Sequence, residues 1–85
     1  MYQLVFGNQF LRSAEKLDRM LKPKLKSSLD ILLENPFHLA LHTKPLTGKL
    51  SGYYSFRLGR DYRVLFALTS KNTIQLLDIG NRKDI

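Results

Sequence analysis

The chain has 85 residues, no cysteine and a formal net charge of +7 at pH 7. That length allows one domain with one modest core, and the missing thiols exclude a disulfide framework and a thiolate zinc site. No apolar run approaches a membrane span, and Leu4–Phe6 is far too short for the apolar region of a signal peptide, so a cytosolic location is expected.

In chain order, Tyr2–Phe6 (YQLVF) reads as a short strand that Gly7 breaks, with Asn8 as the expected N-cap of the next element. Phe10, Ala14, Leu17 and Leu21 recur at helical spacing, with Glu15, Lys16, Asp18 and Arg19 on much of the opposite face. Lys22-Pro23 interrupts. Proline suits the first turn of a helix and not its interior, so the pattern predicts two helices, 8–21 and 23–34, joined by a tight corner. The second carries Leu25, Leu29, Leu32 and Leu33 on one face and ends at Asn35-Pro36. Such a leucine-faced helical hairpin commonly covers a sheet.

Residues 36–51 read as a connector broken by prolines. His38 and His42 lie in it four apart, but with no third ligand in view they are expected at the surface and not on a metal.

Gly52–Phe66 (GYYSFRLGRDYRVLF) is the most informative stretch. Tyr54, Phe56 and Leu58 alternate with Tyr53, Ser55 and Arg57, and Tyr62, Val64, Phe66 and Leu68 alternate with Arg63, Leu65 and Ala67. Period-two alternation around Gly59-Arg60-Asp61 predicts a β-hairpin. A three-residue loop sets Leu58 opposite Tyr62, Phe56 opposite Val64 and Arg57 opposite Arg63, whereas a two-residue loop would set Phe56 against Arg63. The longer loop keeps apolar residues together, and a one-residue slip would put side chains on the wrong face. The strand runs on to Thr69, Ser70-Lys71-Asn72 turns, and Thr73–Ile79 (TIQLLDI) reads as a central strand ended by Gly80. The order is β-α-α-β-β-β. The fold class is therefore α+β, an antiparallel-rich four-stranded sheet with the helical hairpin on one face and a basic concave face opposite.

Residues 43–85 carry a net charge of +5 and residues 1–42 only +2, so the cation excess is concentrated in the sheet half. A small basic domain points to nucleic acid or to an acidic protein that masks it. Directly opposed arginines repel, which makes sense where an anion lies between them, and guanidinium forks match phosphate oxygens. No Gly-rich phosphate loop, Ser/His/Asp set or carboxylate pair is present. The available chemistry is a cation cluster: Arg57, Arg63 and Arg82, with Lys44 and Lys49 from the connector. Such a cluster suffices for metal-free RNA cleavage. RNA supplies its own 2′-hydroxyl nucleophile, arginines stabilise the charged phosphorane, and a lysine among other cations can serve as base. DNA, lacking that hydroxyl, is excluded as a substrate. Arg60, Lys83 and Tyr53 are further candidate RNA contacts.

The helical hairpin, then KPLTGKLSGYYSFRLGRDYRVLF, then LLDIGNRKDI, resembles the RelE/ParE superfamily of type II toxins over nearly the whole chain, as a single toxin domain spanning 1–85. The resemblance implies a RelE-like fold and one of two activities. RelE-type members are ribosome-dependent mRNA endonucleases without cofactor, whereas ParE-type members inhibit DNA gyrase and are not nucleases. Either is neutralised by an antitoxin whose C-terminal segment wraps the toxin and whose N-terminal part binds operator DNA, so any link to DNA is indirect; this antitoxin is expected to present an acidic, helical segment. By position, Arg63 matches the phosphate-contacting arginine of the Y-R-V segment, Arg82 the arginine after I-G-x, and Arg57 a frequently basic strand position; Lys44 and Lys49 are candidates for base or backbone contact. The chain departs from the nuclease pattern at Asn81, where many members have His, in having no Tyr behind this segment, and at Lys44, where a related branch has Glu. A catalytically weakened basic binding module is the third reading.

Overall fold

A computed structural model describes residues 1–85. Its strands are β1 (Gln3–Phe6), β2 (Lys44–Pro45), β3 (Tyr54–Leu58), β4 (Tyr62–Ser70) and β5 (Thr73–Asn81), and its helices are α1 (Asn8–Glu15) and α2 (Leu21–Glu34). They form one five-stranded sheet in the order β1-β5-β4-β3-β2, with β1 parallel to β5 and every other pair antiparallel. The α+β class and element order agree with the sequence reading; the sheet gains a fifth strand. That strand is two residues of the connector, Lys44 paired with Ser55 and Pro45 with Tyr54, extended by an N–H···O bond of 2.9 Å from Leu46 to Tyr53. Proline is tolerated there because β2 is an edge strand.

The helix boundaries also differ from expectation. Gly7, not Asn8, is the N-cap of α1, and its carbonyl accepts the Leu11 N–H at 3.1 Å. α1 stops at Glu15, where the N–H groups of Lys16 and Leu17 tighten onto the carbonyls three residues back. The Asp18 carboxylate then accepts the Met20 N–H at 3.1 Å, closing a local side-chain turn. α2 therefore begins at Leu21, two residues upstream of the proline. Pro23 is its third residue, where the N–H has no intrahelical acceptor to lose. Further along, β4 reaches Ser70, one residue past the expected end, and β5 runs through Gly80 to Asn81.

Both helices pack on one face of the sheet. Phe10, Leu17, Leu25, Leu32 and Leu41 meet Phe56, Leu58, Val64, Phe66, Ile74, Leu76 and Ile79 in one core. Each such side chain contributes roughly 1.5–3 kcal/mol when taken out of water. Tyr54, opposite Phe66 on the neighbouring strand, packs edge-on against it at 5.7 Å between centroids. At the β1–α1 junction the Gly7 N–H donates to the Leu76 carbonyl at 2.9 Å. A Cβ on Gly7 would lie 2.7 Å from that oxygen, so the absence of a side chain lets β1 and α1 close against β5. No helix is long and apolar enough to cross a membrane.

The tightness of this junction gives a direct test: Gly7→Ala is expected to lower unfolding free energy by about 1–3 kcal/mol, read as a shift in the urea midpoint with the slope unchanged.

Candidate functional site

The hairpin has the register that the three-residue loop requires: Leu58 opposite Tyr62, Arg57 opposite Arg63, Phe56 opposite Val64. Because successive residues alternate faces, Ser55, Arg57, Arg63 and Leu65 stand on the face away from the helices. Arg57, Arg63 and Gly80 make one row across three strands. The adjacent row begins with Lys44 opposite Ser55, which puts Lys44 on the same face, diagonal to Arg57 at about 7 Å between backbones.

Arg63 is the centre of this face and is only 7% exposed. Its Nε donates to Ser55 Oγ at 2.7 Å. Its Nη2 donates to the Ser55 carbonyl at 2.9 Å and to the His42 carbonyl at 2.8 Å. His42 presents that carbonyl from a left-handed conformation, φ 51°, which histidine tolerates better than bulkier residues do. The connector behind it is tied down: Leu41 is buried, and Thr43 Oγ1 donates to the Pro36 carbonyl at 2.6 Å. Three of the five guanidinium hydrogens are thus committed within the chain. The two on Nη1 have no partner here, and no buried side-chain polar atom is left unsatisfied, so Nη1 meets the surface. Arg63 is a fixed cation with one outward-facing pair of donors.

Nothing of opposite charge compensates it. Its pKa is held below the ordinary arginine value, first by burial and second by the positive field of Arg57. The guanidinium still carries its charge at neutral pH. A charge that is partly desolvated, beside a like charge and hydrogen-bonded only to neutral groups, favours an anion at its open edge.

The other predicted residues fall into two groups. Arg82 follows β5 directly, and its N–H donates to the Asp61 carbonyl at 2.9 Å, which moors the tail to the hairpin turn that also carries Arg60. Lys83 is in the same tail, its N–H donating to Asn81 Oδ1 at 3.0 Å. Arg57, Arg60, Arg63, Arg82 and Lys83 therefore share one end of the sheet. Tyr53 lies at the other end of β3, about 13 Å along the chain direction from Arg57, and Lys49 lies in the short helical turn Gly48–Leu50 that precedes it. No three His, Cys, Asp or Glu side chains meet in a group that could hold a metal ion.

Three features escaped the sequence reading. Ser55 and the His42 carbonyl, which position Arg63, are one; Ser55 was legible as the only small polar residue in the strand, two before Arg57, but the carbonyl was not. The polar side of α2 is another: Lys24, Ser27 and Ser28 line a cleft of about 450 Å³ together with Arg57, Leu58 and His42. The last is the Ser13 hydroxyl, which donates to Asp78 Oδ1 at 2.7 Å and ties α1 to β5.

Comparison with known proteins follows from this geometry. The family model described as the ParE toxin of the type II toxin–antitoxin system, parDE, matches residues 4–85. The toxin–antitoxin complex RelBE2 from Mycobacterium tuberculosis is similar at 29% identity and TM-score 0.75, covering 95% of this chain and 98% of that one. The archaeal RelE–RelB complex from Pyrococcus horikoshii OT3 has 25% identity and TM-score 0.80 over 99% of this chain and 98% of that one. YafQ from E. coli strain BL21(DE3), at 18% identity, shares the fold with TM-score 0.80 over 99% and 97% of the two chains. No curated protein matches this sequence.

Two stability measurements check the arrangement around Arg63. Ser55→Ala is expected to cost about 1.5–3 kcal/mol, the range for a hydrogen bond to a charged group. Arg57→Gln is expected to stabilise by a few tenths to about 1 kcal/mol in low salt, since it removes a like charge directly opposite. That gain should shrink in 1 M salt, where a Debye length of about 3 Å screens the pair. Chemical denaturation at two ionic strengths reads both.

Proposed function

The chain belongs to the ParE toxin family of type II toxin–antitoxin systems, and we propose that it acts in the cytoplasm as a metal-independent, ribosome-dependent mRNA endonuclease that blocks translation. The observation carrying this reading is the rigid, uncompensated Arg63 with its free Nη1, one strand away from Arg57, which is itself diagonal to Lys44. Donors fixed in advance at the place where charge develops stabilise a transition state without reorganising.

The ribose 2′-hydroxyl attacks the adjacent phosphorus, its proton passes to the uncharged amine form of Lys44, and the bond from phosphorus to the 5′-oxygen breaks. The product ends are a 2′,3′-cyclic phosphate and a 5′-hydroxyl. Arg63 Nη1 and Arg57 bind the non-bridging oxygens of the phosphorane; Arg82 faces the leaving side, where the departing oxygen takes up a proton from water. Arg60 and Lys83 hold flanking phosphates, and Tyr53 and Lys49, farther along β3, contact the strand beyond. Ribosomal RNA and mRNA together supply the register of cleavage.

A cognate antitoxin completes the reading. The RelBE2 and RelE–RelB structures are complexes of paired proteins, and a chain of net charge +7 calls for an acidic helical segment to mask Arg57 and its neighbours when the toxin is restrained.

One specific observation favours a gyrase-directed, non-enzymatic toxin instead. The matching family description is ParE, and the residue after Ile79-Gly80 is Asn81, whose amide cannot exchange a proton.

Induction in a bacterial host separates the two. The nuclease reading predicts rapid arrest of translation, with transcript ends cut inside reading frames and chromosomal DNA intact. It also predicts that Arg57→Gln and Arg82→Gln each slow cleavage about 100-fold or more, the size of effect seen when one transition-state donor is removed, while both variants stay folded. A DNA-damage response with intact transcripts would replace it with gyrase inhibition. Arrest undiminished in both variants would remove the site assignment.

A further inference from the structure

The cleft beside α2 owes its existence to the shortness of β2. That strand pairs only with Tyr54 and Ser55, so the outer edge of β3 at Arg57 and Leu58 has no strand neighbour. The N-terminal half of α2 flanks this gap on one side, and the turn that ends at His42 flanks it on another, leaving about 450 Å³. Lys24, Ser27 and Ser28 are spaced i, i+3 and i+4, so they stand together on one side of the helix and face Arg57 across the opening.

The lining chemistry is selective. It offers an ammonium, a guanidinium, two hydroxyls and an imidazole, with Leu58 as apolar surface and no carboxylate. Lys and Arg donate only, and the serines both donate and accept. A hard divalent cation is excluded as the occupant, because such ions require oxygen ligands of the carboxylate or carbonyl type, and His42 alone does not make a site for a softer one. A phosphate attached to a hydroxylated sugar suits every group, and the volume lies in the range of roughly 300–1,000 Å³ that small-ligand sites occupy.

Arg57 joins this cleft to the cation centre. It lines the opening and also stands directly opposite Arg63 on the next strand. We infer that the cleft is an RNA subsite: it seats the nucleotide next to the phosphate that Arg63 and Arg57 hold, with that nucleotide's own phosphate on Lys24 and its ribose 2′-hydroxyl on Ser27 and Ser28. The inference deepens the nuclease reading and rests on it. Lys24 is then a backbone-positioning residue with no part in bond breaking.

The test uses the purified full chain and a fluorescent eight-nucleotide RNA, with the matching DNA and an eight-residue glutamate peptide as comparisons. Anisotropy is followed against salt concentration. Lys24 is exposed, so Lys24→Gln keeps the fold, checked by circular dichroism and thermal midpoint. It is expected to weaken RNA binding about 5- to 10-fold and to lower the salt slope by about 0.7, the value of one phosphate contact on a single strand. The double variant Ser27→Ala, Ser28→Ala is expected to reduce the preference for RNA over DNA several-fold, and the backbone amides of residues 24, 27 and 28 are expected to shift in NMR spectra on adding RNA. Affinity and slope unchanged in Lys24→Gln, while Arg57→Gln weakens binding, would overturn the subsite and leave the nuclease reading standing. No RNA binding by the parent chain, with transcripts uncut in cells, would overturn both. Movement of those amides by the glutamate peptide and not by RNA would assign the cleft to an acidic protein partner.

Discussion

The burial of Arg63 without a counter-charge is the constraint on which the rest of the sheet face depends. A guanidinium can be withdrawn from water only if its donors are satisfied, and here neutral oxygens do the work: Ser55 through both its hydroxyl and its carbonyl, His42 through its carbonyl. Neutral acceptors fix the position of the charge and leave its sign unopposed. A carboxylate in the same place would give a stronger bond and cancel the field that an anionic ligand reads. The left-handed backbone at His42 belongs to this arrangement, since it aims the carbonyl inward at the end of a short helical turn. Strained or sparsely populated backbone at such a point is common where a site is held in one geometry.

The architecture behind this face explains why it is available. Two helices are too few to cover both sides of a five-stranded sheet, and both pack on the same side. Pairing β1 with β5 places the first and last strands side by side and leaves β4 and β5, the longest strands, in the interior of the sheet. The cation row therefore sits on well-supported strands, with Val64 and Phe66 fully buried directly behind Arg63 and Leu65. Side chains on such strands move less than side chains on loops, which would suit the proposed phosphate contact. The connector and the polar side of α2 are attached at the rim, where the two-residue β2 leaves room.

How much of this could be read in advance follows from which interactions are local. The hairpin register was legible to the residue, because only one loop length keeps Phe56, Leu58, Tyr62 and Val64 on one face, and that choice forces Arg57 opposite Arg63. The helical hairpin was legible from its leucines. Its corner was not: the sequence rule about proline places an interruption at Pro23, yet the turn is made upstream by the Asp18 carboxylate, and proline sits harmlessly in the first turn that follows. Asn8 is an excellent cap in isolation and is passed over, because the contact of Gly7 with Leu76 sets where α1 starts. β2 was invisible since two residues carry no period. The burial of Arg63 was equally hidden, because its partners are a backbone carbonyl 21 residues earlier and a serine on a neighbouring strand, and neither leaves a signal in local composition.

The opposed arginines also bear on how such a chain is kept under control. A like-charged pair held on a rigid sheet raises the energy of the free protein, and any polyanion or acidic segment that lies between the two lowers it. An anion bound there stabilises the free chain with the logarithm of its concentration over its dissociation constant. On the proposed function, RNA and an acidic antitoxin segment would compete for one and the same source of binding energy, the unneutralised charge at Arg57 and Arg63. Restraint then needs no conformational change in the toxin. It requires only that the masking segment, tethered nearby and presented at high effective concentration, outlast the encounters with RNA. Loss of the antitoxin would return the cation row to its unpaired state with its geometry already set, because the bonds from Arg63 to Ser55 and His42 lie within the chain and do not depend on what covers them.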